Sequence, residues 1–199
     1  EDYGPQLADE ARDYLGQVDL AARRMGELID GILALSRSTR GELRRAPIDV
    51  SALATERLAE LARESPGRPV EWEVEPDLVA RGDEAMVGAV LDNLLGNAWK
   101  YTGHCQPARI RVHAGEVAGL HGICVTDNGA GFDMAHAARL FKPFQRLHRQ
   151  DEFPGIGIGL ATVQRIIHRH GGAIVAAARP GHGASFCFTL SGNVEESTA

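Results

Sequence analysis

The chain has 199 residues, 44% of them hydrophobic and 24% charged, and a formal net charge of -6, enough to bury one good core, or one core plus a small helical appendage. An acidic balance with no Lys/Arg cluster excludes a protein that grips nucleic acid over a broad surface, so any phosphate must be held locally. Apolar stretches such as residues 88–95 are too short to span a bilayer, and Glu1-Asp2 lacks the basic flank of a signal peptide, which points to a cytoplasmic chain without membrane contact.

In chain order, Leu15, Val18, Ala22, Met25, Ile29 and Ile32 recur at alternating spacings of three and four, with Leu28 and Leu35 widening the stripe. The pattern predicts one long amphipathic helix over residues 8–37; a surface helix lying on the core is the plainer reading, and the strict 3-4 spacing favours a seam that pairs with other helices. After Pro47 come a short edge segment over 48–50, a helix over 51–64 with Ser51 as its N-cap, and a strand over 69–75. A second helix is predicted over 83–101, then two strands over 108–114 and 122–126, joined as a hairpin by six or seven residues. Residues 127–159 read mostly as loop with one helical piece near 134–140. A helix over 160–170 and two strands, 173–178 and 184–190, complete a layer of helices on a mixed sheet. Cys105, Cys124 and Cys187 are odd in number, widely spaced and in no C-x-x-C arrangement, so they read as reduced packing residues rather than a disulfide framework or zinc site. The eight histidines, all after residue 103, show no spacing of a metal site or catalytic pair and read as structural.

Three clusters carry chemistry. Asn93, Asn97 and Lys100 stand at i, i+4 and i+7 of the second helix, on one face, opposite Leu91, Leu94, Leu95 and Ala98. Such a face lines a ligand cavity or is simply solvated. In the cavity reading, the amide oxygens of Asn93 and Asn97 suit Mg2+, which keeps several waters and takes few protein ligands, and Lys100 neutralises phosphate beside it. Asp127-Asn128-Gly129-Ala130-Gly131-Phe132 follows a predicted strand. A buried carboxylate there accepts the exocyclic amine of adenine and leaves guanine unpaired, while Gly129 and Gly131 allow close approach; a plain Asp-Asn-Gly turn is the alternative. Gly155-Ile156-Gly157-Ile158-Gly159 opens directly into the helix beginning near Leu160, presenting main-chain N–H groups and the positive helix end to an anion. No strand is predicted before it and no Gly-Lys-Ser/Thr follows, so neither a Rossmann nor a Walker site is implied. Between the last two clusters, Phe141, Phe144, Phe153 and Arg146 suggest a lid whose aromatics anchor it while Arg146 reaches a terminal phosphate; satellite core is the plainer reading of the phenylalanines.

In this order the pieces resemble the ATP-binding half of a sensor histidine kinase, in the superfamily of gyrase, Hsp90 and MutL. The run from Asn93 through Asn97 and Lys100 to Thr102 resembles the N box, Asp127 to Phe132 the G1 box, Leu140 to Phe144 the F box, Gly155 to Leu160 the G2 box, and Gly181-His182-Gly183-Ala184-Ser185-Phe186 a final glycine box. Phe144-Gln145-Arg146-Leu147-His148, followed by Phe153-Pro154-Gly155, resembles phytochrome-like and PAS-linked kinases. The resemblance implies the Bergerat fold, a two-layer α/β sandwich with a mixed sheet and helices on one face, over residues 47–199. It makes residues 1–46 part of a dimerisation and histidine-phosphotransfer hairpin, mainly its second helix. It implies ATP and Mg2+, with the metal on Asn97 and Asn93, phosphates on Lys100, Arg146 and the Gly155, Gly157, Gly159 and Leu160 segment, and adenine near Tyr101 and on Asp127 above Gly129 and Gly131. The implied partners are a response-regulator receiver domain and, in the full-length parent, a second copy of the chain.

Hydrolytic relatives carry a glutamate near the position of Asn93, and an amide is no base, so phosphoryl transfer is expected over hydrolysis. The family's phosphoacceptor histidine has no counterpart in these residues, so the chain alone is expected to bind ATP without phosphorylating itself. A hydrolytic ATPase and a non-catalytic interaction module are the alternative readings.

Overall fold

The computed structural model describes residues 42–148, 152–153 and 155–190, with residues 10–12, 14–19, 21–22, 25–26 and 29 of the N-terminal region. Those N-terminal residues are helical, and Tyr14, Leu15, Val18, Met25 and Ile29 are 55 to 64% exposed. Residues 8, 9, 13, 20, 23, 24, 27, 28 and 30–37 of the expected helix, Leu28, Ile32 and Leu35 among them, lie outside the described residues.

The rest is a mixed sheet with helices on one face. Strands β2 (Val70–Val74), β4 (Ala108–Val117), β5 (Leu120–Asp127), β7 (Ala184–Phe188) and β6 (Ile174–Ala178) lie side by side in that order. The β2 and β4 pair is parallel and the others antiparallel. A small antiparallel pair, β1 (Ala46–Asp49) with β3 (Val79–Gly82), stands apart. Helices α1 (Val50–Glu64), α2 (Glu84–Tyr101) and α3 (Gly159–Arg169) cover one sheet face. Strand alternation sends Ile110, Val112, Ile123, Val125, Phe186 and Phe188 into the layer between, against Leu58, Leu91, Leu94, Leu95, Val163 and Ile166. Arg109, Arg111, His113, Cys124, Thr126, Ser185 and Cys187, the intervening residues, fall on the opposite face, which no helix covers among the described residues.

Several local expectations change. Ser51 is not the cap of α1. Asp49 accepts Ala52 N–H at 2.8 Å, and the Ser51 hydroxyl instead bridges Glu75 O and Leu78 N–H. The β4–β5 connection is two residues, Ala118 and Gly119, both at positive φ, so the strands run on to Val117 and Leu120. Such a turn matches strand twist even without the usual Asn-Gly signal. β3 was not foreseen, because four residues with one buried apolar side chain, Ala80, carry almost no periodicity. Cys124 and Cys187 are directly paired across β5 and β7 and joined as a disulfide, which corrects the expectation of reduced packing residues. Their distance in sequence hid a register that only the sheet creates.

Candidate functional site

A cavity of about 390 Å³ opens between α2, the end of β5, the start of α3 and the segment that precedes it. Asp83 caps α2 by accepting Met86 N–H, which starts the helix in the register that aims Asn93, Asn97, Lys100 and Tyr101 at this space. The Asn93 amide donates to Ala89 O at 2.8 Å, fixing its orientation and turning Oδ1 toward Gly159. A side chain at position 159 would collide with that oxygen, so glycine there keeps the start of α3 close to the α2 amide.

Asp127 ends β5 inside the cavity, 7% exposed. Burial pushes its carboxyl up to about 6, offset by main-chain N–H groups of Gly129, at 2.8 Å, and Ala184. Gly129 does not line the cavity; it holds the carboxylate from below, pressed against Tyr101 O. Gly131 does line it, at φ +59, with the carbonyls of Arg179 and Gly183 where a Cβ would project. Lys100 is drawn down to about 8, by burial first and Arg146 second, and its ammonium stands 4.3 Å from the Tyr101 ring centre. Burial also raises the Tyr101 hydroxyl. One desolvated ammonium and one desolvated carboxylate thus share a pocket walled by Phe132, Leu147, Ile158 and Phe186, an arrangement for a ligand with an anionic part and a polar, flat apolar part.

The lid side is stitched to the body. Arg146 donates to Gly155 O at 2.6 Å and to Phe153 O, so it reaches a phosphate only by exchanging those carbonyls. Phe153 is buried among Tyr101, His104 and His148, whereas Phe144 is 57% exposed, so only the former anchors. Gly155, Gly157, Gly159 and Leu160 line the cavity, with Phe144 N–H on Gly157 O at 2.9 Å. Sequence reasoning missed Ala184, whose contribution is a main-chain N–H that no side-chain type advertises, and His148, which lines the cavity and packs on Tyr101. His170, by contrast, is structural: fully buried, it accepts Asp83 N–H and bonds Ile166 O.

Among the described residues no group of three His, Cys, Asp or Glu side chains is placed to hold a metal. Two neutral amide oxygens fit a cation whose remaining ligands come from phosphate and water.

The family described as histidine kinase-, DNA gyrase B- and HSP90-like ATPase matches residues 82–193, more than half the chain and all of this cavity. The chain belongs to that family. This histidine kinase-type ATPase domain is 30% identical over 188 residues to the phytochrome-like protein Cph1 of Synechocystis, covering 94% of the chain and 25% of that protein. It is 31% identical over 185 residues to the alginate biosynthesis sensor protein KinB of Pseudomonas aeruginosa, covering 89% of the chain and 30% of that protein. The chain thus spans about a quarter to a third of these relatives. Among solved structures it resembles full-length ShkA in complex with AMPPNP, with TM-score 0.66 and 28% identity over 92% of this chain and 39% of that one. It also resembles the mycobacterial sensor histidine kinase MprB, with TM-score 0.58 and 27% identity over 73% of this chain and 97% of that one. No helix among the described residues is long and apolar enough to cross a membrane.

Proposed function

We propose that this domain binds Mg2+-ATP in the cavity and supplies the γ-phosphoryl group to a histidine on a dimerisation helix of its parent kinase, for relay to a response-regulator aspartate in the cytoplasm. The observation that carries the reading is the buried Asp127 carboxylate sharing one cavity with Lys100, Asn93, Asn97 and a glycine-rich helix start. Asp127 accepts the adenine amine, and Gly129 and Ala184 hold it in place; guanine would set a carbonyl against the carboxylate. Tyr101 packs at the base side, Lys100 neutralises phosphate, and the main-chain N–H groups from Gly155 to Leu160 take the rest of the anion. Asn93 and Asn97 would hold Mg2+, which would offset phosphate charge there. Asn93 cannot deprotonate water, which favours transfer to a protein nucleophile over hydrolysis. Residues 47–199 form the catalytic unit, and residues 1–46 belong to the dimerisation hairpin.

Calorimetric titration with ATP and with GTP, in Mg2+, tests this. The chain should bind ATP and discriminate against GTP, and Asp127→Asn should lose the discrimination. Absence of ATP binding, or equal affinity for both nucleotides, overturns the reading.

A further inference from the structure

The face of the sheet away from the helices carries a second constellation. Cys124 and Cys187 pair across β5 and β7, with Cys124 2% exposed and Cys187 half-buried, so a small reagent meets Cys187 first. Gly115 of β4 leaves the space that Cys124 Sγ fills. Cys187 Sγ lies 3.6 Å from Ser185 Oγ, Ser185 Oγ 2.9 Å from Thr126 Oγ1, and Thr126 Oγ1 3.1 Å from His113 Nε2. His113 Nδ1 is 2.7 Å from Ala114 O.

The last contact sets the direction of the chain. A carbonyl only accepts, so in the neutral ring Nδ1 carries the proton and Nε2 is the acceptor. Thr126 therefore donates to His113, Ser185 donates to Thr126, and the Ser185 oxygen is left to accept from the Cys187 thiol once the disulfide is reduced. Three strands thus build a hydrogen-bonded path from a reachable thiol to a base. The charges facing His113 are Arg111 on β4, held 3.5 Å from Glu73 of β2, and Glu75, which accepts Ala114 N–H. The outer faces of β5, β7 and β6 beside it add no charged side chain.

We propose that Cys124 and Cys187 form a reversible thiol–disulfide exchange site for low-molecular-weight disulfides and thiols, with Cys187 as the reacting sulfur and His113 as its proton acceptor. In the oxidising direction, the Cys187 proton moves through Ser185 and Thr126 to His113 Nε2. The Cys187 thiolate attacks one sulfur of a small disulfide, forming a mixed disulfide and breaking the small S–S bond; the expelled thiolate takes the proton that His113 passes to solvent. Cys124 then loses its proton and attacks Cys187 Sγ. The protein disulfide forms, and the second small thiolate leaves and takes that proton. One small disulfide becomes two thiols as two cysteines become one cystine. The bond ties the two strands that present Asp127 and Ala184, three residues along each, but the site does not depend on the nucleotide reading.

The full chain, equilibrated in reduced and oxidised glutathione at varied ratios, is alkylated and its cysteine peptides are weighed, with Cys105 as the internal thiol control. Cys124 and Cys187 should convert together between disulfide and alkylated pair, and Cys124→Ser should trap glutathione on Cys187. Thr126→Val should slow oxidation at neutral pH on the order of tenfold, Thr126→Ser should restore the rate, and circular dichroism checks that both variants are folded. Both cysteines alkylated at every ratio, a disulfide that no ratio reduces in the folded chain, or folded Thr126→Val reacting at the wild-type rate would each overturn the proposal.

Discussion

Asp127 and Lys100 show how one cavity holds two opposite charges under strain. Burial lifts the Asp127 carboxyl from 3.8 to about 6 and lowers Lys100 from 10.5 to about 8, so both are mainly ionised near neutral pH without full solvation. ATP affinity should therefore be greatest between about pH 6 and pH 8. Below 6, protonation removes the acceptor for the adenine amine and the dissociation constant should rise toward tenfold per pH unit; above 8, Lys100 loses its charge. Affinity unchanged down to pH 5, measured by titration, would show that Asp127 does not accept from the base. The folded state holds its proton on Asp127 more tightly than the unfolded chain, so this group lowers stability as pH rises from about 4 to about 6. Asp127→Asn should accordingly stabilise the free domain at pH 7, on the order of 1–3 kcal/mol, visible as a raised melting temperature even as nucleotide discrimination is lost. Gly159 is a subtler position. The atom in the way of a Cβ is the tip of Asn93, not backbone, so Gly159→Ala should leave melting nearly unchanged while displacing the amide and weakening Mg2+-ATP binding. A large loss of stability instead would place the conflict in the backbone.

The site is only as well ordered as the register of α2, and that register is set at the helix start. Asp83 caps the helix through its side chain, while its own N–H is held by His170 Nε2 at 3.0 Å from the far end of α3. Arg45 joins the same knot through His170 O. One buried imidazole therefore ties the strand before α2 to the helix that carries the glycine-rich segment. His170→Ala leaves the Asp83 N–H without that acceptor and opens a void, and should destabilise the domain by about 2–4 kcal/mol, measured by denaturant unfolding. ATP affinity should weaken as the start of α2 loses its anchor on α3. The same element explains what sequence could convey: the i, i+4, i+7 polar stripe of α2 and its leucines were legible because helical periodicity is local, whereas His170 has no pattern of its own and draws its role from residues 87 positions away.

Across the whole molecule, the large apolar side chains described in the N-terminal helical region remain more than half exposed, while the core is built from Ile48 onward. A chain of residues 42–199 should thus melt within a few degrees of the full chain and bind ATP equally well; a large drop in either, by calorimetry, would make the N-terminal region part of the same folding unit. The four glycine- or asparagine-bearing segments, with the Leu140–Phe144 segment set among them, and their order were readable from sequence, and so were α1, α2, α3 and most strands, because turn residues, caps and periodicity act over a few neighbours. The cavity itself was not, since it depends on Asn93, Asp127 and Gly159 meeting across the layer, and Gly129 lies beneath the cavity wall while Arg146 is engaged with loop carbonyls. The opposition of Cys124 and Cys187, 63 residues apart, follows from strand order and register alone. The sequence by itself determined the family, most of the elements and the identities of the polar groups; the tertiary structure decided which of them share a dielectric environment, because burial and hydrogen-bond partners are properties of the packed layers and not of the chain.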